Sequence, residues 1–279
     1  MKLLILSDLH YNIDNDNSLI KEQLLKDLSE EHKFDAVILC GDNAVPNKDF
    51  SNHLELFKNL KSYFDTNIAF VCGNHDLWTK QLGISSEKVL YEIFNDISKD
   101  LGLIHLEKDN LEIKDKIIAG TYGHYDYSLA RMSDIVTRKA INRHLLIYQN
   151  SHYPWMDNRF LDFNGKTNSE FCTELINKLD QRLDENKDII LISHTVPHYS
   201  VMGRGNDIDQ DFYAAYSGTD MFLKLYQKYN IEYHFFGHTH APSIKKFNNT
   251  LAVNVGADLK DLSYIILQDK EIIRKSIKI

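Results

Sequence analysis

Five apolar runs in this sequence each stop at a glycine or serine followed by a side chain able to bind metal or carry a proton. Leu3 to Leu6 lead into Ser7-Asp8, Ala36 to Cys40 into Gly41-Asp42, and Ile68 to Cys72 into Gly73-Asn74; later, Ile189 to Ile192 lead into Ser193-His194, and Tyr233 to Phe236 into Gly237-His238. Runs of this length read as buried strands. Between the first three lie helical patterns, with Ile20, Leu24 and Leu28 on one face and Leu56, Leu60 and Phe64 on the next. Alternating strand and helix predicts a parallel sheet. Ligands collect outside the carboxyl ends of the strands in such sheets, so Asp8, Asp42 and Asn74 are expected to converge on one crevice.

Further along, a helical pattern from about Ser86 to Leu101 precedes three short strands, Leu103 to Leu106, Leu111 to Ile113 and Ile117 to Ala119, which read as a meander. Periodicity weakens from Tyr122 to about Asn168. Aromatics gather there, together with Arg131, Arg138, Arg143 and Arg159. This stretch reads as an inserted cap, whose rings and guanidiniums either clamp a nucleobase and its phosphate, build a small core of their own or meet a partner chain. Regular patterning resumes with a helix carrying Phe171, Leu175, Leu179 and Leu183, another over Met221 to Tyr229, and hairpins turning near Asn248-Asn249 and Asp269-Lys270. At 279 residues the chain suits one large α/β domain with an insertion or two small domains. The absence of a linker favours a single domain over 1–279, with 122–168 inserted in it.

Composition narrows the function. With 43% hydrophobic and 26% charged residues, the chain is neither disordered nor low in complexity. Its net charge of −8 argues against a nucleic-acid partner. Cys40 and Cys72, each at the end of an apolar run, read as buried thiols, Cys172 has no partner motif, and three cysteines cannot all pair within one chain, which fits a reducing compartment. No apolar run is long enough to cross a membrane, so the expected location is the cytoplasm. The stretch Asp14 to Ser18 imitates a calcium loop but puts Leu19 and Leu25 where glycine and glutamate are needed.

The strand ends are richer still. Asp8-Leu9-His10, Gly41-Asp42-Asn43, Gly73-Asn74-His75-Asp76, Ser193-His194 and Gly237-His238-Thr239-His240 supply imidazole, carboxylate and amide donors, the mixed set that suits Zn, Mn or Fe. They offer more donors than one ion accepts, and a carboxylate is able to bridge two. Gly41, Gly73 and Gly237 sit where a strand must turn sharply into a crowded site, a place for a residue without Cβ.

In this ordered series of D-x-H, G-D, G-N-H-[DE], a lone His and G-H-x-H, the sequence resembles the calcineurin-like metallophosphoesterase family, in its bacterial type, from Asp8 to His240. The resemblance implies a four-layer αββα sandwich, two mixed β-sheets flanked by helices. It implies that Asp8, His10 and His240 hold one ion, that Asn74, His194 and His238 hold the other, and that Asp42 bridges them. The activity implied is hydrolysis of a small phosphomonoester or phosphodiester by a hydroxide generated between the ions, with His75 as general acid. The family's Ser/Thr protein phosphatases continue the G-D block to a further Asp and an Arg, whereas here it reads Asn43-Ala44-Val45-Pro46. That departure disfavours a protein phosphatase and leaves Asp76 to orient His75, with Arg204 or a cap arginine to grip phosphate. His124 and His198 are further candidates for substrate contact. Two competing functions are a binding scaffold of this fold whose chemistry has lapsed and a metal-dependent nuclease.

Overall fold

The computed structural model describes residues 1–12, 15–130, 139, 141–148, 151–202, 208–256 and 261–278. Its strands are β1 (Lys2–Leu6), β2 (Ala36–Cys40), β3 (Asn67–Val71), β4 (Ile104–His105), β5 (Leu111–Ile113), β6 (Lys116–Thr121), β7 (Leu145–Tyr148), β8 (Ser151–Pro154), β9 (Asp188–Ser193), β10 (Ile231–Phe236), β11 (Ser243–Phe247), β12 (Thr250–Asn254), β13 (Asp261–Gln268) and β14 (Glu271–Lys278). They form two mixed six-stranded sheets, β14-β13-β1-β2-β3-β4 and β11-β12-β10-β9-β6-β5, and a separate β7-β8 hairpin. In the first sheet β1 to β4 run parallel, with β13 and β14 antiparallel along one edge. In the second, β12, β10, β9 and β6 are parallel, bordered by antiparallel β11 and β5.

Side-chain alternation along buried strands explains the layering. From β1, Leu3 and Ile5 face the other sheet, where they meet Ile190, Ile192 and Phe235. Leu4 and Leu6 face outward onto Leu25 and Leu28 of the Asn15–Glu31 helix and Leu56, Phe57 and Leu60 of the Ser51–Tyr63 helix. The second sheet does the same, with Ile189 and Leu191 covered by Cys172 and Ile176 of the Asn168–Asp180 helix and by Phe222 and Leu225 of the Phe222–Lys228 helix. Three apolar interlayers thus hold four layers together, the αββα sandwich expected.

Three details differ from the sequence pattern. The strands from 103 to 119 are not a meander: β4 completes the first sheet, and the chain then crosses to the second, where β5 and β6 pair. The helix expected over 86–101 widens into a π-helical turn at Val89–Ile93. In the Asn15–Glu31 helix the inward stripe is Ser18, Lys21, Leu25 and Leu28, each at most 5% exposed, while Ile20 is 45% exposed. Lys21 turns inward because its ammonium reaches the Leu9 carbonyl at 2.8 Å, where the chain leaves β1.

That placement predicts unequal costs of truncation. Leu28→Ala is expected to lose about 2–5 kcal/mol of unfolding free energy, and Ile20→Ala to stay within about 0.5 kcal/mol of the parent, as read from urea midpoints. Equal losses would show that the helix packs through the apolar stripe instead.

Candidate metal centre

Both sheets present the ends of their parallel strands to one crevice, and the backbone there bends in an unusual way. Asp8, His10, Asp42, His238 and His240 all have left-handed φ, between 45° and 70°. Non-glycine residues avoid that region at about 1–2 kcal/mol each, so their surroundings must hold them in it. Backbone bonds from Asp8 N to the Gly41 carbonyl (3.0 Å) and from His10 N to the Asp42 carbonyl (2.9 Å) bind the exit of β1 to that of β2. The Asp42 carboxylate accepts from the His75 amide at 2.9 Å, and the Asp8 carboxylate from the His238 amide at 3.0 Å. Space is as tight as the glycines suggest. A Cβ on Gly73 would lie 2.1 Å from Asp42 Oδ1, and one on Gly237 would lie 1.9 Å from Ser7 Oγ.

Two groups of donors meet on Asp42. In one, His194 Nε2 lies 3.1 Å from Asn74 Oδ1, 3.2 Å from His238 Nδ1 and 3.4 Å from Asp42 Oδ2. In the other, His10 Nε2 lies 3.4 Å from His240 Nε2 and 3.7 Å from Asp42 Oδ2, and His240 Nε2 is 3.5 Å from Asp8 Oδ1. Ligands about 2.1 Å from a tetrahedral ion stand roughly 3.4 Å apart, so these separations suit a coordination shell.

The protons are arranged to match. His194 gives its Nδ1–H to the Cys40 carbonyl at 3.0 Å, His238 its Nε2–H to the Tyr216 carbonyl at 3.1 Å, and Asn74 its amide N–H to Asp157 at 3.0 Å. Each therefore leaves its other donor atom facing the Asp42 carboxylate. With neutral rings these four acceptors repel unless a cation lies among them, either a proton on His194 Nε2 or a metal ion in its place, so the donor set fits a metal ion.

Electrostatics point the same way. Burial alone would favour the neutral ring of His194, but the carboxylates of Asp42 and Asp8 raise it to about 9, a measure of how strongly the pocket attracts positive charge. Burial also opposes the charged form of Asp42, yet His194 and His75 hold it well below the usual carboxylate range. Burial keeps His10 and His238 neutral, each lowered to about 3, which is the ligating form.

His75 lies at the rim, 26% exposed, with Nε2 3.9 Å from Asp42 Oδ2. Its ring stacks on Trp78 with centroids 3.8 Å apart. Asp76 does not orient it. The Asp76 carboxylate is buried and fully engaged by the amides of Gly73, Asn43 and Ala44, the Asn43 side chain and His53 Nε2, so it ties the β2 and β3 exits together. His124 is no substrate contact either: it is wholly buried, bonded to Tyr122 and Asn168 and packed on Phe163 and Phe171. His198 turns Nδ1 back to the amide of Ser200, at 3.0 Å, and its ring onto Phe247. Arg204, Arg131 and Arg138 lie outside the described residues. Asp157, in the weakly patterned 122–168 stretch, went unnoticed in the sequence because a lone aspartate there carries no motif.

Within this frame the family is defined. The chain belongs to the calcineurin-like phosphoesterases, whose family model matches residues 1–242. Among solved structures it is similar to a phosphopantetheinyl hydrolase from Mycobacterium tuberculosis, with a TM-score of 0.71 and 17% identity over 92% of this chain and 89% of that one. It also resembles the Thermus thermophilus protein TT1561, with a TM-score of 0.55 and 13% identity over 98% and 97% of the two chains. A dimetal phosphatase from Danio rerio follows, with a TM-score of 0.52 and 11% identity over 99% and 95%. At these identities the likenesses establish the fold. No curated protein sequence matches the chain.

Three buried histidines away from the donor groups give a pH prediction. Burial lowers His105, His124 and His234 from 6.5 to about 3. Unfolded, these rings take up protons below about pH 6.5, whereas folded they refuse them until about pH 3. Stability is therefore complete above about pH 6.5 and falls as the solution is acidified through that window, by up to about 1.4 kcal/mol per pH unit per ring. Urea midpoints that stay flat from pH 6.5 to 4 would contradict it.

Proposed function

We propose that the protein is a dinuclear metal-dependent hydrolase of small phosphoesters. The observation that carries this reading is the pair of donor groups sharing Asp42, each spaced as a coordination shell. Asp8, His10 and His240 hold one ion, Asn74, His194 and His238 the other, and Asp42 joins them; Mn, Fe or Zn suits this donor set. When bound, such a pair activates water at neutral pH and neutralises the charge developing on phosphoryl oxygens.

The protein's own residues do the rest. Asp42, between the two groups, fixes their separation. His75, at the exposed rim and seated on Trp78, delivers a proton to the leaving oxygen. Its exposure lets a substrate approach, while its backbone amide, bonded to Asp42, keeps the ring beside the centre. The net charge of −8 disfavours a nucleic-acid polymer as substrate and leaves small esters. Residues 1–279 are read as one catalytic domain, with 122–168 as a cap reaching the centre through Asp157. The three buried, unpaired thiols suit a reducing compartment, and the reading places the protein in the cytoplasm. Among the described residues no helix is long and apolar enough to cross a membrane.

The test is hydrolysis of aryl mono- and diesters and nucleotides by metal-reconstituted protein, with metal content measured by elemental analysis. Asp42→Asn and His238→Ala are expected to abolish metal-dependent turnover. His75→Ala is expected to retain both ions and to lower kcat by about 10²- to 10⁴-fold. Full activity in Asp42→Asn, or metal loss in His75→Ala, would refute the roles assigned.

A further inference from the structure

Asp157 opens the short helix Asp157–Phe160 and is 2% exposed. Its Oδ1 accepts from Asn74 Nδ2 at 3.0 Å and from Trp78 Nε1 at 2.8 Å, and its Oδ2 accepts from Trp155 Nε1 at 3.3 Å. None of these donors is charged. A buried carboxylate satisfied only by neutral N–H groups is costly to keep for packing alone, which directs attention to what the three donors do next.

Asn74 is the first. An asparagine amide has nearly the same shape either way round, and only its oxygen is a metal ligand. By taking the NH₂ group, Asp157 leaves Oδ1 facing His194. Trp78 is the second. With its indole N–H fixed, one face lies against His75, and the ring also stacks on Phe160 with centroids 4.9 Å apart. Trp155 is the third, and it stacks at 4.5 Å on Tyr216, whose carbonyl fixes the tautomer of His238. All three paths reach the Asn74, His194 and His238 group or the neighbouring His75. Among the described residues, no hydrogen bond links Asp157 to Asp8, His10 or His240.

We propose that Asp157 is a positioning residue that locks the Asn74 amide with its oxygen inward and seats Trp78 against His75. It thereby sets the affinity of one ion of the pair and the delivery of the leaving-group proton. This rests on the dinuclear reading above and assigns to the 122–168 stretch the upkeep of one half of the centre.

The experiment is calorimetric titration of metal-free protein with Mn²⁺, joined to kcat and KM on an aryl phosphate. Wild type is expected to bind two ions. Asp157→Ala is expected to leave one ion bound as in wild type and to weaken the other by about 10- to 100-fold, the usual effect of removing a partner behind a metal ligand. Asp157→Asn still offers one oxygen to both Asn74 and Trp78, and is expected to restore most of that affinity. Asp157→Glu keeps the charge but displaces the oxygens by a methylene; it is expected to weaken the same ion, and it decides the matter if the alanine variant fails to fold. Trp78→Phe, which loses the indole N–H but not the amide lock, is expected to bind both ions with a lower kcat and an unchanged KM. Wild-type affinity for both ions in the alanine or glutamate variant would overturn the amide lock. A loss in Asp157→Asn as large as in Asp157→Ala would do the same, because charge would then be the cause. An unchanged kcat in Trp78→Phe would overturn the seat under His75. Fewer than two ions in wild type would instead overturn the dinuclear reading itself.

Discussion

The carboxylate of Asp42 is the point on which this molecule's design turns. It is 2% exposed, it holds the His75 amide, and its Oδ2 stands within 3.7 Å of a histidine from each donor group. A charge so enclosed is tolerated only when positive charge or donors surround it. The requirement propagates outward: His194 and His238 give their far ring protons to backbone carbonyls, Gly73 yields the space that a Cβ would fill, and the β2 exit is clasped to β1 and β3 by backbone bonds and by Asp76. The two sheets and three apolar interlayers can be viewed as the scaffold that keeps this expensive arrangement in place.

The left-handed residues at the crevice answer to the same requirement. Five donors have φ values that an unconstrained chain would leave. In return, side chains at the ends of extended strands are redirected across the sheet edge toward one another. Packing in the interlayers, where Leu3, Ile5, Ile190 and Ile192 have no solvent contact, offsets the local cost.

Much of this was legible from residue order alone. Apolar runs ending in Gly-Asp, Gly-Asn and Gly-His mark both the strands and the donors, because the physics that ends a strand at a crowded site also demands a small residue there. The hairpin turns at Asn248-Asn249 and Asp269-Lys270 were legible for a similar local reason: Asn248, Asp269 and Lys270 have the positive φ of tight two-residue connections. What stayed hidden depends on partners distant in sequence. Lys21 points inward only because the Leu9 carbonyl awaits it, so a hydrophobic stripe drawn through Ile20 misses the true face. Sheet membership of β5 and β6 is invisible, since an apolar run does not name its neighbour. His124 sits close after a strand end, as the donors do, yet Tyr122 and Asn168 claim both its nitrogens. Asp157 acquires meaning only through Asn74, 83 residues earlier.

The strand exits divide the donors unevenly between the sheets. Asp8, His10, Asp42 and Asn74 follow β1, β2 and β3, whereas His194, His238 and His240 follow β9 and β10. Each donor group draws on both halves of the sandwich, so neither half carries a complete set. The centre is thus a seam, and sliding one layer over the other by even an ångström would pull both donor groups apart together. Mechanical coherence of the β-layers and chemical competence are, in this architecture, one property.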